Sequence, residues 1–247
     1  MRNFRITVQY DGTRYQGWQR LASGGETRSI QGRLEAVLSR LAGERVALIG
    51  ASRTDAGAHA EGQVANFHTA APLSPDAILD SLGRFLPSDI VVSDVAEVDE
   101  RFHARYLARS KLYVYRVCNR PFPDVLRRGF VLHVPAPLDV EAMRAAGRTL
   151  VGTHDFLAFS SVKAGRKSTV RTLVSFEIRD DRGRLDLLFE GDGFLHNMIR
   201  IITGTLLEGG AGDRDPADAA RALASRVRAE AGATAPAHGL CLLEVRY

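Results

Sequence analysis

Cysteine is nearly absent: two in 247 residues, Cys118 and Cys241, each inside a strand-like run. That scarcity argues against a disulfide framework and a cysteine-based zinc site, and for a reducing compartment. No apolar run approaches the ~18 residues that a membrane helix needs, so no membrane partner is expected. Low-complexity segments and short-period repeats are missing as well. Met1-Arg2-Asn3 leads straight into alternating Phe4, Ile6, Val8 and Tyr10, a strand pattern and not a leader, so the expected location is cytoplasmic. What is present is ordinary for a soluble chain, 45% hydrophobic and 25% charged. The length suits one large domain or two small ones with a real core.

The net charge of +4 is small but unevenly spread. Residues 101–128 hold eight basic side chains, Arg101, Arg105, Arg109, Lys111, Arg116, Arg120, Arg127 and Arg128, against one acid, Asp124. Residues 163–171 add Lys163, Arg166, Lys167 and Arg171 with no acid. Basic charge interleaved with Phe102, Tyr106, Tyr113 and Tyr115 is the pattern of a nucleic-acid surface.

Along the chain, the first strand ends at the turn signal Tyr10-Asp11-Gly12. Gly17-Trp18-Gln19 then precedes a loose stretch at 21–26. Ser29 is placed to cap a helix with Leu34, Val37, Leu38 and Leu41 on one face and Gly43 at its end. Val46-Ala47-Leu48-Ile49 reads as a short buried strand, and 63–68 as another. Ser74 and Pro75 open a second helix whose stripe is Ile78, Leu79, Leu82, Phe85 and Leu86, stopped by Pro87. A strand at 90–98 follows. The order β-α-β-β-α-β is the split ferredoxin-like unit also used by RNA-recognition motifs, and topology alone assigns no function.

The second half offers similar parts. Strands are expected at 111–117 and 130–134, then a helix capped by Asp139 and a hairpin turning at Asp180-Asp181-Arg182-Gly183. An apolar helix at 196–208 carries one arginine, Arg200. Asp215 and Pro216 start an alanine-rich helix, and 240–245 closes as a strand. The expected fold is α+β: two ferredoxin-like (RRM-like) αβ halves, 1–105 and 106–247, sharing a continuous, mostly antiparallel sheet, with the active site in the cleft between them.

Between the strand candidates at 46–49 and 63–68 lies Ser52-Arg53-Thr54-Asp55-Ala56-Gly57-Ala58-His59. A carboxylate flanked by an arginine on a scaffold-held loop is a plausible reactive centre, although an Asp-Thr turn that satisfies itself fits the same residues. His59 follows Asp55 by four residues, but on a loop without a third obvious ligand, so no metal is expected there.

Three separated stretches, Arg53-Thr54-Asp55-Ala56-Gly57 with His59, Lys111-Leu112-Tyr113-Val114-Tyr115, and Phe194-Leu195-His196-Asn197-Met198-Ile199-Arg200, resemble the motifs of the bacterial tRNA pseudouridine synthase A family. Tyr10-Asp11-Gly12 with Gly17-Trp18-Gln19, Ser168-Thr169-Val170-Arg171-Thr172 and Thr234-Ala235-Pro236-Ala237-His238-Gly239-Leu240 match further blocks, in the family's order along nearly the whole chain. Ser52 stands where the family usually has glycine, Ala58 where it has valine, and Cys241 replaces a larger residue; none of these is a reactive group.

The resemblance implies a homodimeric isomerase that needs no cofactor and no metal. Its reaction would convert uridine to pseudouridine at tRNA positions 38, 39 and 40, in the anticodon stem-loop. It implies that Asp55 is the catalytic nucleophile, as carboxylates are in glycosidic cleavage. Whether Asp55 bonds to the sugar, bonds to the base or removes a sugar proton stays open. Arg200 would pair with Asp55, and Tyr113 would stack on the flipped uracil. Arg53 would occupy the gap left by the extruded nucleotide, with a structural salt bridge as its competing role. Two other readings are a noncatalytic RNA-binding module, since Arg128-Gly129-Phe130-Val131 is partly similar to an RNA-recognition motif, and a metal-dependent hydrolase built on Asp55, His59 and His68.

Overall fold

In a computed structural model that describes residues 1–20, 28–162 and 168–247, the alternating Phe4, Ile6, Val8 and Tyr10 are all buried along β1 (Arg2–Tyr10). The stretch at 21–26 and the basic residues Lys163, Arg166 and Lys167 lie outside the described residues. The chain divides into two compact units, Met1–Arg109 with Leu242–Tyr247, and Ser110–Cys241.

In the first unit β1 is flanked by β3 (His59–Thr69) and β4 (Ile90–Val98), both antiparallel to it. Helix α1 (Ile30–Ala42) starts where Ser29 Oγ accepts the Gly32 N–H at 3.1 Å and stops at Gly43, which takes φ 67°. A serine cap of this kind is worth about 1 kcal/mol. Helix α2 (Pro75–Phe85) is capped by Ser74, carries proline in its first turn and rests against β4 and α1. Its buried stripe is narrower than the periodicity suggests. Ile78 and Leu82 are fully buried, while Leu79 is at the edge and Phe85 is exposed, with the Arg40 guanidinium 5.9 Å above its ring.

The strand expected at 46–49 shrinks to β2 (Ile49–Gly50), which pairs with β3. Val46 and Leu48 are buried as the apolar run suggests, but α1 side chains satisfy their backbone. Ser39 Oγ accepts the Val46 N–H, Glu35 Oε1 accepts the Leu48 N–H, and Gln31 Nε2 donates to the Leu48 carbonyl. These three residues sit four apart, so one helix face replaces a neighbouring strand. The sheet order within the unit is β4-β1-β3-β2, the ferredoxin-like order that β-α-β-β-α-β implies.

The second unit starts with β5 (Ser110–Cys118), and its sheet runs β5, β9 (Arg184–Gly191), β8 (Val170–Asp181), β7 (Gly152–Asp155), all antiparallel. The β8–β9 hairpin turns on Arg182 (φ 52°) and Gly183 (φ 81°). Two successive positive φ angles match the right-handed twist of the strands. The strand expected at 130–134 is reduced to β6 (Leu132–His133), parallel to β5, because Phe130 N–H closes a turn onto the Arg127 carbonyl.

Asp139 caps α3 (Val140–Arg148) by accepting the Ala142 N–H at 2.9 Å. Helix α4 (Met198–Ala211) begins two residues later than the apolar run, since Asn197 takes the left-handed φ of 64°. Helix α5 (Asp218–Ser225) also starts late: Asp215 accepts the Ala217 N–H in a turn that precedes it. Omitting the two-residue β6 and short β7, the unit runs β5-α3-β8-β9-α4, and its strands stand in the order β5-β9-β8, the same arrangement as β1-β3-β2. The fold is α+β with mostly antiparallel pairing and, among the described residues, five α-helices.

Strand β10 (Leu240–Arg246) returns the chain to the first unit at Leu242. There the Tyr247 hydroxyl donates to the Ala104 carbonyl at 2.8 Å. Burial pushes that phenol well above its ordinary pKa, so it stays a donor.

Candidate active site

Asp55 lies in the 51–58 loop, which leaves β2 and enters β3. The β2–β3 ladder does not end at Gly50. Ala51 N–H donates to the Val64 carbonyl at 2.8 Å, and the buried Gln63 side chain then acts as one more strand residue. Its Oε1 accepts the Ser52 N–H at 3.1 Å and its Nε2 donates to the Ser52 carbonyl at 2.8 Å. Past this clamp the loop is held by the 10–18 segment. Trp18 N–H donates to the Thr54 carbonyl, Gly57 N–H donates to the Tyr15 carbonyl, and the Tyr10 hydroxyl meets Thr54 Oγ1 at 2.8 Å. Tyr15 is itself tied by its hydroxyl to Asp89, and burial raises its pKa to about 12.

Backbone meets backbone so closely here that side chains are excluded. A Cβ on Gly12 would stand 1.9 Å from the Ala58 carbonyl oxygen. One on Gly17, at φ 92°, would stand 2.6 Å from that of Thr54. The glycines of the two N-terminal motifs are therefore the floor on which the Asp55 loop lies.

Asp55 is half-buried and Arg53, two residues before it, is exposed. Arg53 makes no ion pair among the described residues. His59, expected on a loop, is instead the buried first residue of β3. Its Nδ1 accepts the Gly12 N–H at 3.1 Å, which requires the ring lone pair. Asp11 Oδ1, 3.2 Å from that nitrogen, also accepts from the Thr13 N–H and hydroxyl, so Asp11 is a neighbour and not the acceptor of a ring proton. His59 thus ties the 10–13 turn to β3. Among the described residues no three His, Cys, Asp or Glu side chains gather in a group that could hold a metal ion, and Asp55, His59 and His68 are no exception.

The other site candidates belong to the second unit. Tyr113 pairs across the sheet with Phe189, is 4% exposed, and meets the Phe194 ring edge-on at 5.2 Å. Two residues on, Tyr115 is wholly buried and donates to the Pro236 carbonyl at 2.7 Å, the structural tyrosine of the pair. Burial pushes its phenol far up, against the pull of the Arg200 charge.

Arg200 sits in the first turn of α4, partly buried. Its Nε donates to the Ala235 carbonyl at 2.7 Å, its Nη1 to Asn197 Oδ1 at 2.8 Å, and its own carbonyl accepts the Ala235 N–H. One turn and two turns further, Thr205 Oγ1 accepts the Gly232 N–H and Glu208 Oε1 the Ala233 N–H. A single face of α4 therefore binds the backbone of 232–235, the start of the motif that runs to Leu240.

Sequence reasoning singled out Asp55, Arg53, Tyr113 and Arg200, but it missed Gln63, Asn197 and Glu208. A signal existed for Gln63: it shares the alternation of Ala65 and Phe67, a polar residue in register with a core-facing row.

A family model described as tRNA pseudouridine synthase matches residues 6–107 and 146–247. The chain is 43% identical over 247 residues to the tRNA pseudouridine synthase A of Bacillus sp. (strain KSM-64). It is 44% identical over 247 residues to the tRNA pseudouridine synthase A 1 of Clostridium tetani and to the tRNA pseudouridine synthase A of Acetivibrio thermocellus. Each alignment covers 100% of both proteins. Likeness at this level, from end to end, places the chain in the tRNA pseudouridine synthase family.

Proposed function

We propose that this chain isomerises uridine to pseudouridine in tRNA, at positions 38, 39 and 40 of the anticodon stem-loop, with Asp55 as its nucleophile. The observation that carries the reading is the construction of the Asp55 loop. Three contacts to the 10–18 segment and the Gln63 clamp fix a carboxylate that stays half-open to solvent. Pre-set geometry of this kind is what bond-making groups need. The reaction breaks the C1′–N1 bond, turns the uracil and rejoins it through C5; the hydrogen on C5 leaves as a proton and N1 takes one up, so the product is an isomer. Positive charge grows at C1′ as the first bond breaks, and a carboxylate stabilises or captures it.

Arg200 pairs with Asp55 in this reading, Tyr113 stacks on the freed base, and Arg53, exposed and without an ion pair among the described residues, fills the gap in the stem. The working form is a cytoplasmic homodimer that needs neither metal nor cofactor. No helix of the described residues is long and apolar enough to cross a membrane.

The charge pattern supports tRNA as the substrate. Arg2, Arg5, Arg14, Arg84 and Arg179 are each matched by an acid. Arg53, Arg101, Arg105, Arg109 and Arg127 are exposed and have no ion pair among the described residues. If four or five of them take phosphates, tRNA affinity falls with a log–log salt slope of roughly −3 to −4.5. Sedimentation velocity over a salt series reads this together with the assembly state. A slope near zero, or a monomer that still modifies tRNA, would overturn the corresponding part of the proposal.

Arg200→Met tests the second unit. It removes the side-chain donors to the Ala235 carbonyl and to Asn197 Oδ1, leaving 232–235 held less firmly, so turnover is expected to fall at least ~10²-fold, the cost of a small misplacement near the chemistry. Lost hydrogen bonds to a charged, partly exposed group also lower stability by about 2 kcal/mol. Affinity for tRNA is expected to stay within a few-fold. Single-turnover assays on unmodified transcripts and thermal melts give both numbers, and wild-type turnover in this variant would remove Arg200 from the site.

A further inference from the structure

The 99–109 loop of the first unit is exposed on top and unusually well anchored beneath. Two buried asparagines form its floor. Asn3 Nδ2 donates to the carbonyls of Asp99 and Phe102, each at 2.9 Å, and Asn66 Nδ2 donates to Asn3 Oδ1 at 3.0 Å. Asn66 Oδ1 accepts the N–H of the buried Ala104 at 2.9 Å. The Phe102 ring rests on Tyr247, 5.0 Å between centroids.

Above this floor His103 Nδ1 accepts the N–H groups of both Arg105 and Tyr106, at 3.2 Å each, and the Leu107 N–H reaches the His103 carbonyl. The imidazole is thereby locked in plane. Tyr106 stacks on it, 4.1 Å between centroids and 26° between planes, while remaining 78% exposed. One face of the phenol is supported and the other is open. Arg101, Arg105 and Arg109 belong to the same loop and are exposed, with no ion pair among the described residues.

A single exposed aromatic residue is commonplace. A phenol held rigid by a histidine, on a loop that is fixed by buried amides and carries three guanidiniums without ion pairs among the described residues, has the parts of a single-strand nucleic-acid contact: a stacking face and phosphate-seeking cations. We propose that this loop is a base-stacking subsite for tRNA, in which the open face of Tyr106 receives an unpaired nucleobase other than the target uracil. Arg101, Arg105 and Arg109 contact the flanking phosphates. Rigidity is the point of the arrangement, since a preset ring loses little freedom on binding. The inference rests on the reading that the chain acts on tRNA.

Binding of unmodified tRNA transcript and of a blunt RNA duplex without unpaired bases, measured by fluorescence anisotropy at one salt concentration, tests it. Tyr106→Ala is expected to weaken tRNA binding roughly 5- to 150-fold, the loss of one stacked base. Tyr106→Phe keeps the ring and is expected to stay within about threefold. Neither variant is expected to alter duplex binding, which draws on phosphates alone. If wild-type protein converts uridine in the transcript but Tyr106→Ala binds tRNA within about twofold of it, the subsite is wrong and the activity stands. Equal losses on duplex and tRNA, or equal losses in the Phe and Ala variants, also overturn stacking. If wild-type protein converts no uridine, the tRNA reading fails first, and the subsite with it.

Discussion

Asp55→Asn protein is expected to bind tRNA and release almost no tritium from transcripts labelled at uridine C5. The expectation follows from bond accounting. When uracil is rejoined through C5, the hydrogen that C5 carried must go to water, about one per uridine converted, so tritium release counts turnovers without any assumption about the intermediate. Asparagine keeps the shape of the side chain and its place on the loop, where the backbone contacts of Thr54 and Gly57 persist. A neutral amide is a poor nucleophile and a poor base, so neither attack at C1′ nor removal of a sugar proton survives the change.

The loss is expected to exceed the roughly 10²–10⁴-fold typical of removing a simple proton-transfer group. Tyr113→Phe keeps the ring and drops the hydroxyl: tritium release is expected to survive it if Tyr113 only stacks on the base, and to fall if its phenol also relays the C5 proton. Near wild-type tritium release by Asp55→Asn, with host enzyme excluded, would sink the central assignment.

Gly12→Ala is expected to slow the reaction as well, on the order of 10²-fold, although the residue carries no reactive group. The new Cβ would lie 1.9 Å from the Ala58 oxygen and 2.8 Å from its carbonyl carbon. Ordinary contact needs roughly 1 Å or more of extra room, and both sides are backbone, so no rotamer relieves the clash. Either the 10–13 turn moves, breaking the Gly12–His59 hydrogen bond, or the 55–58 end of the loop moves and takes Asp55 with it. Displacement of about 1 Å at a reacting group costs on the order of 10²-fold in rate, and the strain costs about 1–3 kcal/mol of stability.

Gly43→Ala is the control. That glycine also has a positive φ, 67°, but nothing lies within 4 Å of the place its new methyl group would take. The substitution costs only about 1 kcal/mol, for the backbone conformation, and the variant is expected to turn over normally. Thermal melts with single-turnover pseudouridine assays compare the two. Equal turnover by Gly12→Ala and Gly43→Ala would show that the close approach does not position Asp55.

The order of elements was legible from the chain alone because the signals are local. Alternation over 2–10, the serine caps at 29 and 74, the aspartate cap at 139 and the Arg182-Gly183 turn each depend on residues within one or two helical turns. The same locality explains the misjudged strand at 46–49. Its apolar residues do go inside, but whether a buried backbone is satisfied by a strand or by Gln31, Glu35 and Ser39 depends on which helix packs over it. The narrow stripe of α2 and the late start of α4 are likewise settled by neighbours and not by periodicity.

For the site, resemblance to a family pointed to Asp55, Arg53, Tyr113 and Arg200, while their supports stayed invisible. Gln63 continuing a ladder with its side chain, Gly12 lying under Ala58, and α4 gripping the backbone of 232–235 each join segments that are separate in the chain. Propensity and pattern are properties of short stretches of chain. The partner of a buried N–H, and the space left for a Cβ, are properties of what folds back against it, and here only the tertiary structure decided them.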